Sequence, residues 1–236
     1  MLKWLLAGSI LALTLSCNPR LAGGLRKKDL HKDVEMTTSK GILLLRLSDS
    51  TPLHRDNFLT LVKKGYYDSV LFHRVIQRFM IQAGDPDSRQ GHPGKPLSQG
   101  GSGGPGYTIP AEFRSSLFHK RGVLAAARTP DDVNPLKASS GSQFYIVQGR
   151  VFTDRGLDSL ETFRLKGRKI PAEQRAVYKM IGGSPHLDQN YTVFGEVIKG
   201  MDVVDSIAAS PTSGPPSDRP LKDIRIWKMK LVRRRE

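Results

Sequence analysis

The sequence predicts a mainly β chain, folded as a closed barrel or a sandwich with few helices. Six short runs rich in apolar, β-branched and aromatic residues recur along it: SVLFHRVI, FMIQAGD, GVLAAAR, SQFYIVQ, YTVFGEVI and DIRIWKMKLV. Loops of Gly, Pro and Ser separate them, as expected of strands joined by turns. Helical spacing of apolar residues is confined to a few segments.

The chain opens with MLKWLLAGSILALTLSC, in which Lys3 precedes an apolar run from Trp4 to Leu15. That run is short for a membrane span and suits the core of a signal peptide. It ends at Cys17, the single cysteine of the chain, which excludes an internal disulfide. The arrangement resembles a bacterial lipoprotein signal. The resemblance implies that residues 1–16 are removed and that Cys17 is lipidated, anchoring the protein to a membrane of the bacterial envelope, facing the periplasm or in the outer membrane. Residues 17–32 are polar and contain glycine, which suits a tether.

DVEMTTSKGILLLRL follows and reads as two paired strands around Ser-Lys-Gly. STPLHRDNFLTLVKKGYY reads as a helix. Thr51 is placed to cap it, Pro52 suits its first position, and Gly65 suits its end. Phe58, Leu61 and Val62 form its core-facing stripe. KGMDVVDSIAAS is a second short helix, with Met201, Val204 and Ile207 on one face. Two segments read as insertions. One is a Gly/Pro loop at about 87–101. The other, 153–183, is polar and helix-prone, with Val177, Met180 and Ile181 spaced to face a core.

The chain has 236 residues and a formal net charge of +15. Its Lys and Arg residues are scattered, and no nucleic-acid-binding motif accompanies them, so a basic surface without nucleic acid is the expected reading. GGSGG fits the spacing of a nucleophile elbow, but Gly surrounds Ser102 and Pro105 follows, which describes a loop. GHPGKP lacks the hydroxyl residue a P-loop needs. The six histidines show no metal-binding pair.

One stretch raises a chemical question. FHRVIQRFMIQAGDP is mostly apolar, yet carries Arg74 and Gln82. A buried unpaired charge costs several kcal/mol or more. The stretch is therefore either a structural ion site or an apolar pocket with a positioned donor.

FHRVIQRFMIQAGDP, GGPGYTIPAEF, GVLAAAR, GSQFYI and HLDQNYTVFGEV, in that order, resemble the cyclophilins, which are peptidyl-prolyl cis-trans isomerases. The resemblance implies a cyclophilin-like closed eight-stranded antiparallel barrel capped by two helices, here with a helical insertion, over residues 33–236. It implies no metal and no cofactor, Pro-containing polypeptides as substrates, and a monomer. Residue by residue, it makes Arg74 the catalytic arginine and Gln82 the group that orients it. Phe79, Met80, Tyr145 and Leu187 would line a proline pocket. Ala127, Arg128, Gln143 and Tyr191 would meet the substrate. His73 is read as structural. The alternative is a module that binds Pro-containing segments with little turnover. His186 stands where the family has the Trp that supports cyclosporin binding. Weak cyclosporin affinity is therefore expected, and a nanomolar inhibition constant would refute it.

Overall fold

The computed structural model describes residues 22–89 and 103–234. Ten strands and four α-helices follow in chain order: β1 (Lys32–Thr38), β2 (Gly41–Leu47), α1 (Pro52–Lys63), β3 (Arg74–Ile76), β4 (Met80–Ala83), β5 (Thr108–Ile109), β6 (Val123–Ala126), β7 (Ser139–Ser140), β8 (Phe144–Val147), α2 (Asp154–Phe163), α3 (Ala172–Met180), β9 (Val193–Lys199), α4 (Met201–Ala208) and β10 (Ile226–Arg233). Eight of the strands form one antiparallel sheet in the order β10-β1-β2-β9-β6-β8-β4-β3, and β5 pairs with β7 apart from it.

The expected closed barrel is corrected to a curled, open half-barrel. Its end strands, β3 and β10, do not pair with each other. The seam is tacked instead by single contacts: a bridge between Leu71 and Arg225, Phe72 N–H donating to the Ile224 carbonyl at 2.9 Å, and Val75 N–H donating to the Asp218 carbonyl at 2.8 Å. The reason is local. β3 is only three residues long, and the segment that faces it holds Pro211, Pro215, Pro216 and Pro220. Proline has no N–H to give a ladder.

Period-2 alternation sorts the central strands into two layers. Leu124, Ala126, Phe144, Ile146, Ile81 and Ala83 point into the main core. The residues between them, Val123, Ala125, Tyr145, Val147 and Met80, form a second apolar cluster on the outer face. That explains why β6 and β8 read as unbroken apolar runs: both faces are covered. Phe58, Leu61 and Val62 of α1 and Val204 and Ile207 of α4 enter the main core, as their spacing predicts.

Three local expectations change. Thr51 is the N-cap of α1 by position, but its hydroxyl is buried without a partner. Glu112 caps the helix instead. Its carboxylate accepts the main-chain N–H groups of Leu53 and His54 at 3.2 and 3.0 Å and meets His54 Nδ1 at 2.7 Å. A carboxylate at a helix N-terminus also meets the positive end of the dipole. Glu112→Ala is therefore expected to cost about 2–3 kcal/mol, read as a lowered urea midpoint, with Glu112→Gln recovering part of it.

The second change concerns the insertion. Val177 is only partly buried and Met180 and Ile181 are exposed, while Tyr178 is the fully buried residue of α3. Third, the stretch expected to be a tether is folded from Ala22 onward. Leu25 joins the main core, and buried Asp29 pairs with Lys32 and Lys63, each at 2.9 Å. Cys17, the apolar run before it and most of the 87–101 loop lie outside the described residues.

Candidate active site

β3 and β4 form a hairpin whose register places Arg74 opposite Gln82 and Ile76 opposite Met80. Gln82 in turn lies opposite Tyr145, and Tyr145 opposite Ala125. Directly opposed residues of antiparallel strands share a face, with side chains in contact range. Arg74, Gln82 and Tyr145 thus form a row across the outside of the sheet, above the second apolar cluster. Gly84 ends β4 at a φ of +97°, and a Cβ there would stand 2.3 Å from the Ser142 carbonyl. Only glycine permits that close approach to the loop before β8.

The strand residues Arg74, Met80, Gln82 and Tyr145, with Phe79 from the turn between β3 and β4, line a cleft of about 200 Å³. Ala127, Arg128, Leu187 and Tyr191, from the loops after β6 and before β9, complete it. Gln143 stands outside this cleft but lines a larger adjoining one of about 740 Å³, which shares Gln82, Ala127 and Arg128 with the first. Residues from four separate stretches of sequence are therefore brought together on one continuous surface.

The polar contacts differ from expectation at one point. Gln82 was expected to hold Arg74, but its amide N–H donates to Gln143 Oε1 at 3.2 Å. Gln143 donates onward to the Gly103 carbonyl at 2.8 Å. Arg74 instead meets Asp218, Nε to Oδ2, at 3.5 Å. The Arg74 side chain remains 40% exposed, which leaves the guanidinium accessible from the cleft. Asp218 is a neighbour of the site that the sequence reading missed. It comes from the Pro-rich segment before β10, and no local pattern marks it.

Arg128 does not stand free in the cleft. Its guanidinium carbon lies 4.6 Å from the centre of the Tyr191 ring, its Nε donates to the Asn190 carbonyl at 2.8 Å, and Asp131 sits 2.6 Å from Nη1. Stacking on an aromatic face and pairing with a carboxylate suit arginine, and together they make Arg128 a fixed wall. His186 packs against Phe79, ring centres 5.5 Å apart.

Burial, with nearby Arg164, pushes the His186 imidazole down to about 4. His73, beside Arg74 in sequence, is buried with both ring nitrogens unpartnered. Burial pushes it to about 4 as well. The sign of the linkage follows. Below an ordinary histidine value of 6.5 the unfolded chain takes up these protons, while the folded chain refuses them until about pH 4. Stability is thus expected to fall as pH drops from 6.5 to 4, by up to about 1.4 kcal/mol per pH unit for each histidine. His73→Phe removes one contribution and two unsatisfied nitrogens. Urea midpoints measured across that range should show a shallower acid slope than wild type.

Among the described residues, no group of three or more His, Cys, Asp or Glu is arranged to hold a metal ion.

Comparison with known proteins gives a consistent picture. The family model described as "Cyclophilin type peptidyl-prolyl cis-trans isomerase/CLD" matches residues 33–231. A Staphylococcus saprophyticus protein named "Putative peptidyl-prolyl cis-trans isomerase" is 35% identical over 198 residues, covering 84% of this chain and 90% of that protein. A Staphylococcus aureus protein of the same name is 35% identical over 194 residues, covering 82% and 88%. The fold is similar to the crystal structure of a Cryptosporidium parvum cyclophilin type peptidyl-prolyl cis-trans isomerase, with a TM-score of 0.61 at 23% identity over 85% of this chain and 97% of that one. A second structure of that protein, in the presence of the dipeptide Ala-Pro, gives a TM-score of 0.59 at 24% identity over 85% and 98%.

Proposed function

The chain belongs to the cyclophilin-type peptidyl-prolyl cis-trans isomerases, and from that premise we propose that the Arg74 cleft is where it turns X-Pro bonds, in exported or envelope proteins as they fold. The observation that carries the reading is the meeting of one exposed guanidinium with apolar walls in a single cleft of about 200 Å³.

The reaction breaks no covalent bond. Its barrier is about 18–20 kcal/mol, because rotation removes amide resonance. In the twisted state the proline nitrogen is pyramidal and basic, and the carbonyl oxygen has swung out of plane. A donor held at the nitrogen, or at the turning oxygen, stabilises that state more than either planar form. Such differential binding lowers the barrier. Arg74 is the donor in this reading, through the planar fork of its guanidinium. Phe79, Met80, Leu187 and Tyr145 grip the ring while the carbonyl side turns. Gln82, hydrogen-bonded to Gln143, presents an ordered amide edge beside Arg74 to the peptide backbone. Ala127 leaves room for that backbone, and Arg128 over Tyr191 closes the far side.

The reading takes the enzyme to work as a monomer. Comparing Arg74→Ala with wild type in a proline-isomer assay tests the cleft.

The location remains a reading of the sequence: Cys17 carries lipid and holds the enzyme at the bacterial envelope. Cys17→Ala should move the protein from the membrane to the soluble fraction of cells that make it. A protein that stays in the membrane fraction counts against lipidation.

A further inference from the structure

Behind the cleft, a line of buried hydrogen bonds runs from Tyr145 to the insertion. The Tyr145 hydroxyl lies 3.0 Å from His119 Nε2. His119 Nδ1 lies 2.9 Å from Asp188 Oδ1, and the His119 main-chain N–H donates to the same oxygen at 2.7 Å. Tyr178, on α3, donates its hydroxyl to Asp188 Oδ2 at 2.6 Å. His119 and Tyr178 are completely buried, and Asp188 and Tyr145 are nearly so.

The donor and acceptor inventory fixes the direction of the line. An ionised carboxylate only accepts. With the imidazole neutral, its proton therefore sits on Nδ1, toward Asp188, and Nε2 is left to accept from Tyr145. Burial pushes the Tyr145 phenol well above its ordinary value, so it keeps the proton it donates. Every polar group in the line has a partner, and losing any one strands the next in an interior where an unpaired group is costly.

Two walls of the cleft depend on this line. Tyr145 is one. Leu187 is the other, because it precedes Asp188, whose carboxylate is held by Tyr178 and whose carbonyl accepts from Arg168 of the insertion at 3.0 Å. Tyr191 then stands edge-on to Tyr145, ring centres 6.0 Å apart.

We propose that the α2–α3 insertion is a positioning element of the proline cleft, with Tyr178 acting through Asp188 and His119 to hold Tyr145 and Leu187 in place. This rests on reading the cleft as the proline site. Tyr178 does not line the cleft, so it is a positioning residue and not a catalytic one.

The test is a double-mutant cycle in the full chain. Tyr178→Phe deletes one hydroxyl and keeps the ring that packs on Phe118 and Phe152. Tyr145→Phe deletes the hydroxyl at the far end. Steady-state isomerase kinetics on an Ala-Pro-containing peptide are measured for both variants, the double variant and Arg74→Ala.

Tyr178→Phe is expected to raise KM about 3- to 10-fold, the worth of one hydrogen bond, with kcat changed far less. Because the two hydroxyls act along one line, the double variant should match the weaker single variant instead of multiplying the two effects. Multiplied effects, or a Tyr178→Phe variant that melts lower with unchanged KM, overturn the inference. Full activity in Arg74→Ala would instead overturn the reading of the cleft, so the two failures are told apart.

Discussion

Arg74→Ala is expected to lower kcat/KM on an X-Pro peptide by about 10²- to 10³-fold, the loss typical of removing one preorganised donor to a developing charge. The fold should be nearly untouched. The Arg74 side chain is 40% exposed, and its ion pair with Asp218 spans 3.5 Å. Asp218 is largely buried, but a pair this long with its arginine open to solvent contributes about 1 kcal/mol. The hairpin that carries Arg74 is held by its main chain, through pairing with β4 and the Val75 to Asp218 hydrogen bond. Activity and melting temperature should therefore separate. Arg74→Lys should recover only part of the rate, because an ammonium is a point charge without the planar fork. Asp218→Asn offers a milder comparison: it keeps the segment's main-chain contacts and loosens only the guanidinium's setting. An alanine variant within about twofold of wild type would remove Arg74 from the mechanism and leave the apolar walls to act by desolvation alone.

The row of Arg74, Gln82 and Tyr145 was legible because its first part is local. Alternation along FHRVIQRFMIQAGDP places Arg74, Met80 and Gln82 on one face and Val75, Ile81 and Ala83 on the other, and the described strands keep that pattern. Closure was not legible, because it depends on how a three-residue strand meets a Pro-rich segment far along the chain. The helix cap failed for a related reason. Thr51 has the right type and position, but Glu112 arrives from a distant loop with two acceptor oxygens and takes the N–H groups.

In α3, hydrophobicity pointed to Val177, Met180 and Ile181. The residue buried is Tyr178, whose polar tip is satisfied by Asp188. An amphipathic side chain of that kind reads as surface until its partner is known. Asp218 and His119 were missed alike, since neither lies within a motif and each matters only through the residue it touches.

Asp188→Ala is expected to be the most destabilising of the single changes considered. Asp188 is the one acceptor for three buried donors: the His119 main-chain N–H, His119 Nδ1–H and the Tyr178 hydroxyl. Truncation leaves all three without a partner in the interior and adds a cavity. Breaking a buried charged network in this way costs about 3–5 kcal/mol. For a chain of this length each kcal/mol is worth about 2–4 °C, so the melting temperature should fall by about 10 °C. Asp188→Asn separates charge from connectivity. Its carbonyl oxygen still accepts both His119 donors, and its amide turns toward Tyr178, whose hydroxyl accepts as well as donates. That variant should lose only about 1–2 kcal/mol, since the charge-assisted share is gone while the line persists. The same contrast should appear in the kinetics. If Leu187 and Tyr145 are held through Asp188, the alanine variant binds proline peptides poorly even at temperatures where it is fully folded, and the asparagine variant binds them nearly as well as wild type. Equal peptide binding by both folded variants would show that packing alone sets those two walls.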